Sequence, residues 1–480
     1  MSEQPSRPNI VFIMSDDHAA HAIGAYGSRI NRTPQLDRLA TEGALFESVY
    51  CTNSVCAPSR ATILTGTYSH LNGVRSIYED FDYRIATFPQ VLQRNGYATA
   101  LFGKWHLGEA EENLPQGFDD WAIFRGQGEY FDPELITAEG SSHVPGYATD
   151  LITDLACDWI AERTADEPFC LLLHHKAPHR PWQPHPRHAD AYPVGTIPEP
   201  DTLFDDYETK PTAVKVAKMR VSDDLTLTDV KEEVPAELLG AENRIERTRW
   251  NYQRYMRDYL GCIQAIDESV GRVLDTLDEA GLGENTLVIY TSDQGFFLGD
   301  HGWYDKRFIY DESLQMPFLA RWPRAIAPGT RVSQSLTNVD FAATFLAMAG
   351  LGVEELPNQQ GESFLPLFSD PSAETGHSDS VYYRYWEHDD PSHGAWSHYG
   401  VRTATHKLVY YYAAGLGVKG ASDKVFPPEW ELIDLVNDPQ ELVNVADDPA
   451  YAHVRAELER ELAKLQRHYN DEPYVADEAR

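Results

Sequence analysis

Four short apolar segments of the chain each stop at a cluster of ionisable residues, and this pattern limits the folds open to the chain. The segments are residues 9–14 (NIVFIM), 97–102 (YATALF), 169–173 (FCLLL) and 286–290 (TLVIY). Short aliphatic and β-branched runs are typical of buried strands in parallel sheets. Ligands bind outside the carboxyl ends of such strands. One cluster alone is typical of a polar loop, but four of them at the same strand end predict a single shared active site.

Helical patterns separate these segments. Threonine caps precede the stretches 34–43 and 88–96, and an amphipathic stretch covers 254–280. Strands that alternate with helices predict an α/β fold, with a large, mostly parallel sheet flanked by helices over residues 1–372. The stretch 185–249 is poor in periodic apolar residues and is expected to be an insertion that walls or covers the cleft.

Residues 373–480 are predicted to form a smaller C-terminal α+β subdomain. Its segments VYYRYW, YGVRT, HKLVYYY and WELIDL predict an antiparallel sheet. A helix over 452–469 is predicted to close this sheet. The apolar residues of that helix recur at helical spacing, at Val454, Leu458, Leu462 and Leu465.

The charge balance argues against two classes of partner. The 480 residues include 40 lysines and arginines against 75 aspartates and glutamates, which gives a formal net charge of −35. This field repels nucleic acids and anionic membrane surfaces, so neither is expected as a partner. An anionic substrate would need basic groups or a metal ion to overcome the field locally. The oligomeric state is left open, and an oligomer is possible.

The sequence gives no indication of a secretion signal or of disulfide bonds. The N-terminal stretch MSEQPSRPNIVFIMSDD lacks the apolar region and the cleavage site of a secretion signal. The five cysteines show no CxxC spacing and indicate neither a disulfide framework nor a zinc site. A cytoplasmic location is expected, with the periplasm or the exterior as the alternative if a precursor segment has been removed.

The residues after the strands fall into two chemical groups. Asp16, Asp17, Asp293 and Gln294 offer hard oxygen atoms, which suit Ca²⁺ or Mg²⁺. Adjacent carboxylates repel each other unless a cation lies between them. The second group is cationic or transfers protons. It consists of Lys104, His106, His179 and Lys306. A dication ringed by such groups predicts a site for a tetrahedral oxyanion, either sulfate or phosphate.

Cys56 stands in the sequence SVCAPSRATILTGT, just ahead of an apolar run. Pro58 suits the first turn of a helix, so the thiol is expected at a helix N-terminus, where backbone amides favour negative charge. Arg60 is close enough to hold a nucleophile or a bound anion. A soft thiolate matches a hard oxygen-ligated dication poorly, which indicates that the thiol itself is not the working group.

These residues resemble the type I sulfatase family of the alkaline phosphatase superfamily. The family signature Cys-x-Pro-Ser-Arg, followed by x-x-x-Leu-Thr-Gly, is met by residues 56–66. Thr67 departs from the arginine that is common at the next position. The paired aspartates, GKWHLG, HKAPH and SDQG extend the resemblance over most of residues 8–370, and WELIDLVNDPQELVNV extends it into the C-terminal region. The resemblance implies an alkaline phosphatase-like fold.

The resemblance also implies the chemistry. The signature cysteine, here Cys56, is oxidised by a formylglycine-generating maturation enzyme, and the formylglycine hydrate is the nucleophile that attacks sulfur. One Ca²⁺ per chain is the usual metal. Its ligands by resemblance are Asp16, Asp17, Asp293, Gln294 and the modified Cys56. Gln294 departs from the asparagine or histidine often found at its position.

The same resemblance assigns roles to the cationic group. His179 or Lys306 would protonate or stabilise the leaving oxygen. His106 would act as the base that releases the sulfate from the enzyme. Lys104 and Arg60 would stabilise negative charge on the oxygens that do not leave.

The segments HHKAPHRPWQP and FFLGDHGWYDKRF look like those of carbohydrate sulfatases, especially enzymes that act on sulfated N-acetylglucosamine in glycosaminoglycans or mucins. His175 would contact the substrate or orient its loop. Arg384 and His398 lie in an aromatic-rich stretch that fits sugar recognition, although packing of the aromatic rings inside the subdomain explains that stretch equally well.

Three functions remain open from the sequence. The preferred one is a sulfuric ester hydrolase that removes sulfate from a sulfated carbohydrate. The second is a phosphate or phosphonate ester hydrolase of the same superfamily, because such a site accepts either tetrahedral anion. The third is an inactive homologue that binds sulfated glycans, which the full set of catalytic residues disfavours. The sugar, the sulfate position and endo or exo action are not predicted.

Overall fold

A computed structural model of the protein describes residues 7–474. Its strands, in chain order, are β1 (Asn9–Ser15), β2 (Ala44–Phe46), β3 (Val49–Tyr50), β4 (Ala98–Gly103), β5 (Asp120–Phe124), β6 (Glu134–Thr137), β7 (Gly140–His143), β8 (Phe169–His174), β9 (Thr286–Ser292), β10 (Phe297–Leu298), β11 (Tyr304–Asp305), β12 (Gln315–Met316), β13 (Phe318–Arg321), β14 (Thr330–Val332), β15 (Leu336–Thr337), β16 (Val381–Tyr385), β17 (His398–Arg402), β18 (His406–Tyr411) and β19 (Glu429–Asp434). Its α-helices are α1 (Pro34–Glu42), α2 (Cys56–Thr65), α3 (Ser69–Asn72), α4 (Phe88–Arg94), α5 (Ala148–Ala161), α6 (Thr212–Lys215), α7 (Leu227–Val230), α8 (Arg244–Glu279), α9 (Asp311–Leu314), α10 (Asp340–Met348) and α11 (Ala452–His468).

The largest sheet has the strand order β14-β2-β13-β9-β1-β8-β4-β5-β6-β7. The central run from β9 to β5 is parallel, whereas β13 on one side and β6 and β7 on the other pair antiparallel with their neighbours. The four strands predicted from the sequence are β1, β4, β8 and β9, and they are neighbours in this parallel centre. The prediction of a large, mostly parallel α/β sheet is confirmed.

Alternate residues of β1 face two different cores. Ile10, Phe12 and Met14 pack in the cluster that contains residues of α2, α4 and α10. Val11 and Ile13 pack in the cluster formed with α1, α5 and α8. Because helices cover both faces, β1 is buried along its whole length, and its sequence is continuously apolar rather than alternating. Ligands can therefore approach the sheet centre only from a strand end.

Most predicted helices have nearly the predicted bounds, and α8 is the exception. It begins at Arg244, ten residues before the start expected from the apolar pattern. Its first turns bury Thr248, Asn251 and Tyr252 instead of an aliphatic stripe, so the periodic signal is weak there. None of the helices within residues 7–474 combines the length and the apolar character needed to span a bilayer.

The C-terminal sheet has the order β16-β17-β18-β19, and every neighbouring pair is antiparallel. Helix α11 closes it through Leu458, Leu462 and Leu465, which pack in one cluster with Tyr382 and Leu408 of the sheet. The predicted antiparallel sheet and its closing helix are both present.

The stretch 185–249 contains short helices and turns ahead of α8. It is fixed to the segment that follows β10 by backbone hydrogen bonds: Val221 donates its N–H to the Gly302 carbonyl (2.9 Å), and Tyr304 donates to the Met219 carbonyl (2.9 Å). The insertion therefore supports the segment around β11 that leads into Lys306.

Candidate active site

The carboxyl ends of β1, β4 and β9 bring ionisable residues to one edge of the large sheet. Asp16 and Asp17 follow β1, Lys104 follows β4, and Asp293 follows β9. All four side chains are buried. Parallel pairing places these strand ends side by side, so residues nearly 280 positions apart in sequence become neighbours.

Asp16, Asp17 and Asp293 form what we call the acidic centre. Each offers an oxygen, and these oxygens lie within 4.8 Å of one another. Gln294 donates its side-chain amide to Asp17 Oδ1 (2.6 Å). Within residues 7–474, Asp17 Oδ2 and Gln294 Oε1 are buried and accept no hydrogen bond. Buried oxygens without donors beside three carboxylates form a set that a cation would satisfy.

The electrostatics of the acidic centre are uneven. Burial, together with repulsion from Asp16 and Asp293, raises the pKa of Asp17 to about 7, although Lys306 opposes the shift. Burial also disfavours ionisation of Asp16, but the attraction of Lys104 and other cations outweighs it and holds the Asp16 pKa well below its usual range. The Asp17 carboxylate is therefore the member of the centre that most needs an added positive charge.

Cys56 is the first residue of α2 and lies against the acidic centre. Its Sγ is 3.3 Å from Asp16 Oδ1 and 3.3 Å from Lys306 Nζ. Burial, and then the charge of Asp16, raises the pKa of the thiol to about 12. The helix N-terminus does not acidify this thiol, because burial and a neighbouring carboxylate outweigh it. An unmodified Cys56 would be a protonated thiol and a poor nucleophile at neutral pH.

Arg60 holds the edge of the site together from the first turns of α2. Its Nε and Nη2 contact Asp293 Oδ2 at 3.0 Å and 2.9 Å, and its Nη1 donates to the Lys104 carbonyl (2.8 Å). Nη2 also lies 3.5 Å from Asp16 Oδ2. The guanidinium thus fixes two carboxylates and the loop after β4 in one arrangement.

Lys104 and His106 share a partner that the sequence interpretation did not include. Lys104 Nζ donates to Asp16 and to Gln127, and the Gln127 side chain lies 3.1 Å from His106 Nε2. Burial, then repulsion from Lys104, lowers the pKa of His106 well below its usual range. The imidazole is therefore neutral and available as a proton acceptor.

Lys306 and His179 close the site on the side of Asp17. Lys306 Nζ donates to Asp17 Oδ1. His179 Nε2 is 3.8 Å from Asp17 Oδ2, and its Nδ1 lies 2.6 Å from the Arg180 carbonyl. That carbonyl accepts the Nδ1 proton, which leaves Nε2 directed toward the site. Burial lowers the His179 pKa and favours the neutral ring.

Family comparison agrees with this geometry. A family model described as Sulfatase matches residues 8–351, and a second model, described as N-sulphoglucosamine sulphohydrolase, C-terminal, matches residues 299–468. The chain belongs to the sulfatase family. This sulfatase is a sulfuric ester hydrolase, as the signature around Cys56 predicts.

Individual relatives agree over nearly the whole chain. The N-acetylglucosamine-6-O-sulfatase of Bacteroides thetaiotaomicron is 39% identical, over 98% of this chain and 88% of that protein. The solved structure of BT4656 in complex with its substrate D-glucosamine-2-N,6-O-disulfate superposes with a TM-score of 0.89 at 38% identity, covering 98% of this chain and 100% of that one. The phosphonate monoester hydrolase of Agrobacterium radiobacter matches in fold, with a TM-score of 0.74 at 20% identity, covering 96% of each chain.

The three residues proposed from sequence to contact substrate all make internal contacts in the sulfatase. His398 is fully buried among the rings of Phe308, Tyr383 and Tyr411, and its Nδ1 lies 2.7 Å from the Trp396 carbonyl. A side chain enclosed in this way cannot reach a saccharide. The structure thus corrects the expectation for His398 in favour of aromatic packing.

His175 and Arg384 are also engaged in internal contacts. His175 is buried with Nε2 3.3 Å from the Ser269 hydroxyl of α8, and its backbone N–H donates to Met14. These contacts fit the loop-orienting role, which is one of the two roles predicted for it. Arg384 pairs with Asp471 (2.5 Å) and stacks on Trp386, with 3.6 Å from its guanidinium carbon to the ring centroid. These contacts place Arg384 in a groove beside the C-terminal end and not at the acidic centre.

Two further charged residues flank Lys306 and were not singled out from the sequence. Asp305 and Arg307 are both buried and have positive φ angles of 79° and 102°. Arg307 contacts Glu387 Oε2 (3.1 Å), which joins the catalytic unit to the C-terminal subdomain. The run of three charged residues at 305–307 is the only sequence signal for this arrangement, because the position of Glu387 depends on how the two units pack.

Proposed function

We propose that this sulfatase removes the 6-O-sulfate from glucosamine units of a sulfated glycan. The match to a structure solved with D-glucosamine-2-N,6-O-disulfate carries the proposal, because it extends over 98% of this chain at 38% identity. The named relative that is 39% identical supports the same sugar and position. The buried cationic groups around the acidic centre suit a sulfate group, whose charge the net field of the protein would otherwise repel.

We propose that the resident metal ion is Ca²⁺. Its ligands would be Asp16, Asp17, Asp293 and Gln294. Asp17 and Gln294 each have a buried side-chain oxygen that accepts no hydrogen bond within residues 7–474, which fits this role. Oxygen ligands without imidazole or thiolate favour a hard cation over zinc. Bound there, the ion would neutralise the carboxylates and draw charge from sulfate oxygens.

We further propose that Cys56 is converted to formylglycine, whose hydrate supplies an oxygen nucleophile. The surroundings of the side chain fit a hydroxyl-bearing group, because a carboxylate acceptor (Asp16) and an ammonium donor (Lys306) lie 3.3 Å from the present sulfur. The raised thiol pKa argues against the unmodified side chain as the nucleophile.

The remaining side chains are assigned by position. Lys104 and Lys306 balance the negative charge of the sulfate oxygens, and Arg60 keeps the carboxylates in place. His179 faces the leaving sugar oxygen through Nε2, while Nδ1 keeps its proton on a carbonyl. Nε2 must therefore gain a proton before the ring can donate one to that oxygen, and the negative charge of a bound sulfate would favour this imidazolium form. His106, neutral and next to Lys104, accepts the proton that must leave before the sulfate is released.

The test is a sulfate-release assay on protein whose peptide 54–67 has been examined by mass spectrometry. N-acetylglucosamine 6-sulfate should be desulfated, whereas the 6-sulfate of N-acetylgalactosamine, which differs only at C4, should react much more slowly. N-acetylglucosamine 6-phosphate is the matched ester for the alternative reaction. Faster turnover of the phosphate would favour the phosphate ester hydrolase. Confirmed formylglycine without any sulfate release would favour a glycan-binding homologue.

A further inference from the structure

Lys176 differs from the other buried lysines of the structure. Lys104, Lys210, Lys306 and Lys407 each lie within salt-bridge distance of a carboxylate. Lys176 is 4% exposed, yet within residues 7–474 no carboxylate lies within salt-bridge distance of its ammonium group and it donates no hydrogen bond to the protein. A buried cation without an anion is costly, so its retention needs a reason.

The backbone fixes Lys176 at the carboxyl edge of the large sheet. Its neighbours His175 and Ala177 are hydrogen-bonded to the end of β1: the His175 N–H donates to Met14 (2.8 Å), and Asp16 donates to the Ala177 carbonyl (3.2 Å). This loop is therefore part of the active-site wall, and Lys176 is carried directly beside the acidic centre.

The side chain is held beside His179. Its Nζ lies 4.9 Å from the ring centroid of Tyr130, and the Tyr130 hydroxyl donates to the His179 carbonyl (2.7 Å). The Lys176 carbonyl accepts the His179 N–H (3.0 Å). A ring face provides partial compensation for a cation, which is weaker than a carboxylate partner. His179 marks the side on which the leaving sugar would lie, and repulsion from Lys176 is among the causes that lower the His179 pKa, after burial and the nearer charges.

The electrostatic setting fits a missing anion. Burial, then repulsion from Lys104, lowers the pKa of Lys176 to about 8. The ammonium group is thus destabilised until a negative group approaches it. The cleaved sulfate is not the natural candidate, because Lys104 and Lys306 already flank Cys56, where that sulfate must react.

We propose that Lys176 binds a second anionic group of the substrate, one that is not removed in the reaction, such as an N-sulfate on the same sugar. This inference rests on the proposed function and extends it: the preferred substrate carries at least two negative groups. Charge-assisted pairing with a desolvated ammonium gives selectivity for such substrates over singly sulfated sugars.

The experiment compares two substrates, D-glucosamine-2-N,6-O-disulfate and N-acetylglucosamine 6-sulfate, on the metal-loaded, matured enzyme. Lys176→Met removes the charge but keeps much of the apolar stem. It should raise KM for the disulfate roughly tenfold to a hundredfold, change KM for the monosulfate less than about threefold, and leave kcat nearly unchanged. Lys176→Arg should recover part of the loss. Lys464→Met, on the exposed side of α11, is the matched control and should alter neither substrate.

Thermal melting separates binding from a structural role. Without substrate, Lys176→Met should melt at the same temperature as the wild type or higher, because an unpaired buried charge has been removed. A lower melting temperature would indicate a structural lysine and overturn the inference. Equal losses on both substrates, or none on either, would also overturn it. If the wild type releases sulfate from neither sugar, the proposed function itself fails, and the two failures are distinguishable.

Discussion

The acidic centre and a second buried cluster in this sulfatase contain similar side chains but differ in how completely these are paired. The second cluster, which we call the C-terminal ion cluster, consists of Lys210, Lys407, Asp311, Glu431 and Glu441. Lys407 contacts Asp311 (2.9 Å) and Glu441, and Lys210 contacts Glu431 (3.1 Å). Within the described part of the chain, none of these five side chains has a buried polar atom without a partner.

The acidic centre shows the opposite. Asp17 Oδ2 and Gln294 Oε1 lack donors, His106 Nδ1 lacks a partner, and Lys176 close by lacks an anion in the described residues 7–474. A buried polar group that is left unsatisfied costs free energy, whereas a completed network can stabilise a unique packing. Incomplete pairing therefore fits a site that the proposed metal ion and substrate would complete, and complete pairing is found in the cluster that links the subdomain to the unit containing the large sheet.

The strongest way to break this comparison is to remove Cys56, the proposed source of the nucleophile. Cys56→Ala should reduce kcat/KM for N-acetylglucosamine 6-sulfate by at least about a thousandfold, because no other group occupies the position from which sulfur would be attacked. Its melting temperature should change little. Cys157→Ala, a partly exposed free cysteine, is the control and should keep full activity. Substantial turnover by Cys56→Ala would contradict the assignment.

Metal removal tests whether Asp17 Oδ2 and Gln294 Oε1, which accept no hydrogen bond within residues 7–474, belong to a cation site. Chelation should lower sulfate release by about a hundredfold or more, and Ca²⁺ should restore it. Ca²⁺ at a hundred times its Kd should also stabilise the wild type by about 2.7 kcal/mol, measured by unfolding. Asp17→Asn should lose this stabilisation, whereas Asp447→Asn, a fully exposed control, should retain it. Restoration by Zn²⁺ alone would contradict the hard-ligand argument.

Matched substitutions in the two clusters sharpen the contrast. Lys306→Met should lower kcat/KM by about a hundredfold to a thousandfold, because it removes charge stabilisation at the site. Lys407→Met should lower the free energy of unfolding by about 3–5 kcal/mol, since it leaves the Asp311 and Glu441 carboxylates without their ammonium partner. The Lys407→Met protein that does fold should keep kcat/KM within a few-fold of the wild type. The reverse pattern would refute the division between the two clusters.

The last prediction is a pH dependence of stability. The Lys176 pKa falls from 10.5 in the unfolded chain to about 8 in the folded protein, so folding releases its proton between these values. The resulting penalty, about 3 kcal/mol, is complete below pH 8 and disappears as pH rises to 10.5. The free energy of unfolding of the wild type should therefore rise relative to Lys176→Met across this range. A difference that is constant from pH 8 to 10.5 would argue against the lowered pKa.

The sequence was sufficient for the sheet and for the sulfatase signature at Cys56. The four apolar runs became the parallel centre because buried strands must be continuously apolar, and the residues after them met because parallel strands end together. The acidic residues after β1 and β9 lie next to one another for this reason, and the N-terminus of α2 brings Cys56 to them. The start of α8 was predicted ten residues late because its first turns bury Thr248 and Asn251, which are polar and add nothing to the apolar periodicity.

Which buried charged and polar side chains pair depends on contacts between segments far apart in the chain. The sequence does not show these contacts directly. His398 and Arg384 have the chemistry of sugar-binding residues, but aromatic packing buries one and Asp471 holds the other. Lys176 looks like any charged loop residue in the sequence. The sequence by itself determined the α/β fold and the sulfatase family, because periodicity and motif spacing are local. Only the tertiary structure decided which buried charges are satisfied, because each partner is set by the packing of strands and subdomains far apart in the chain.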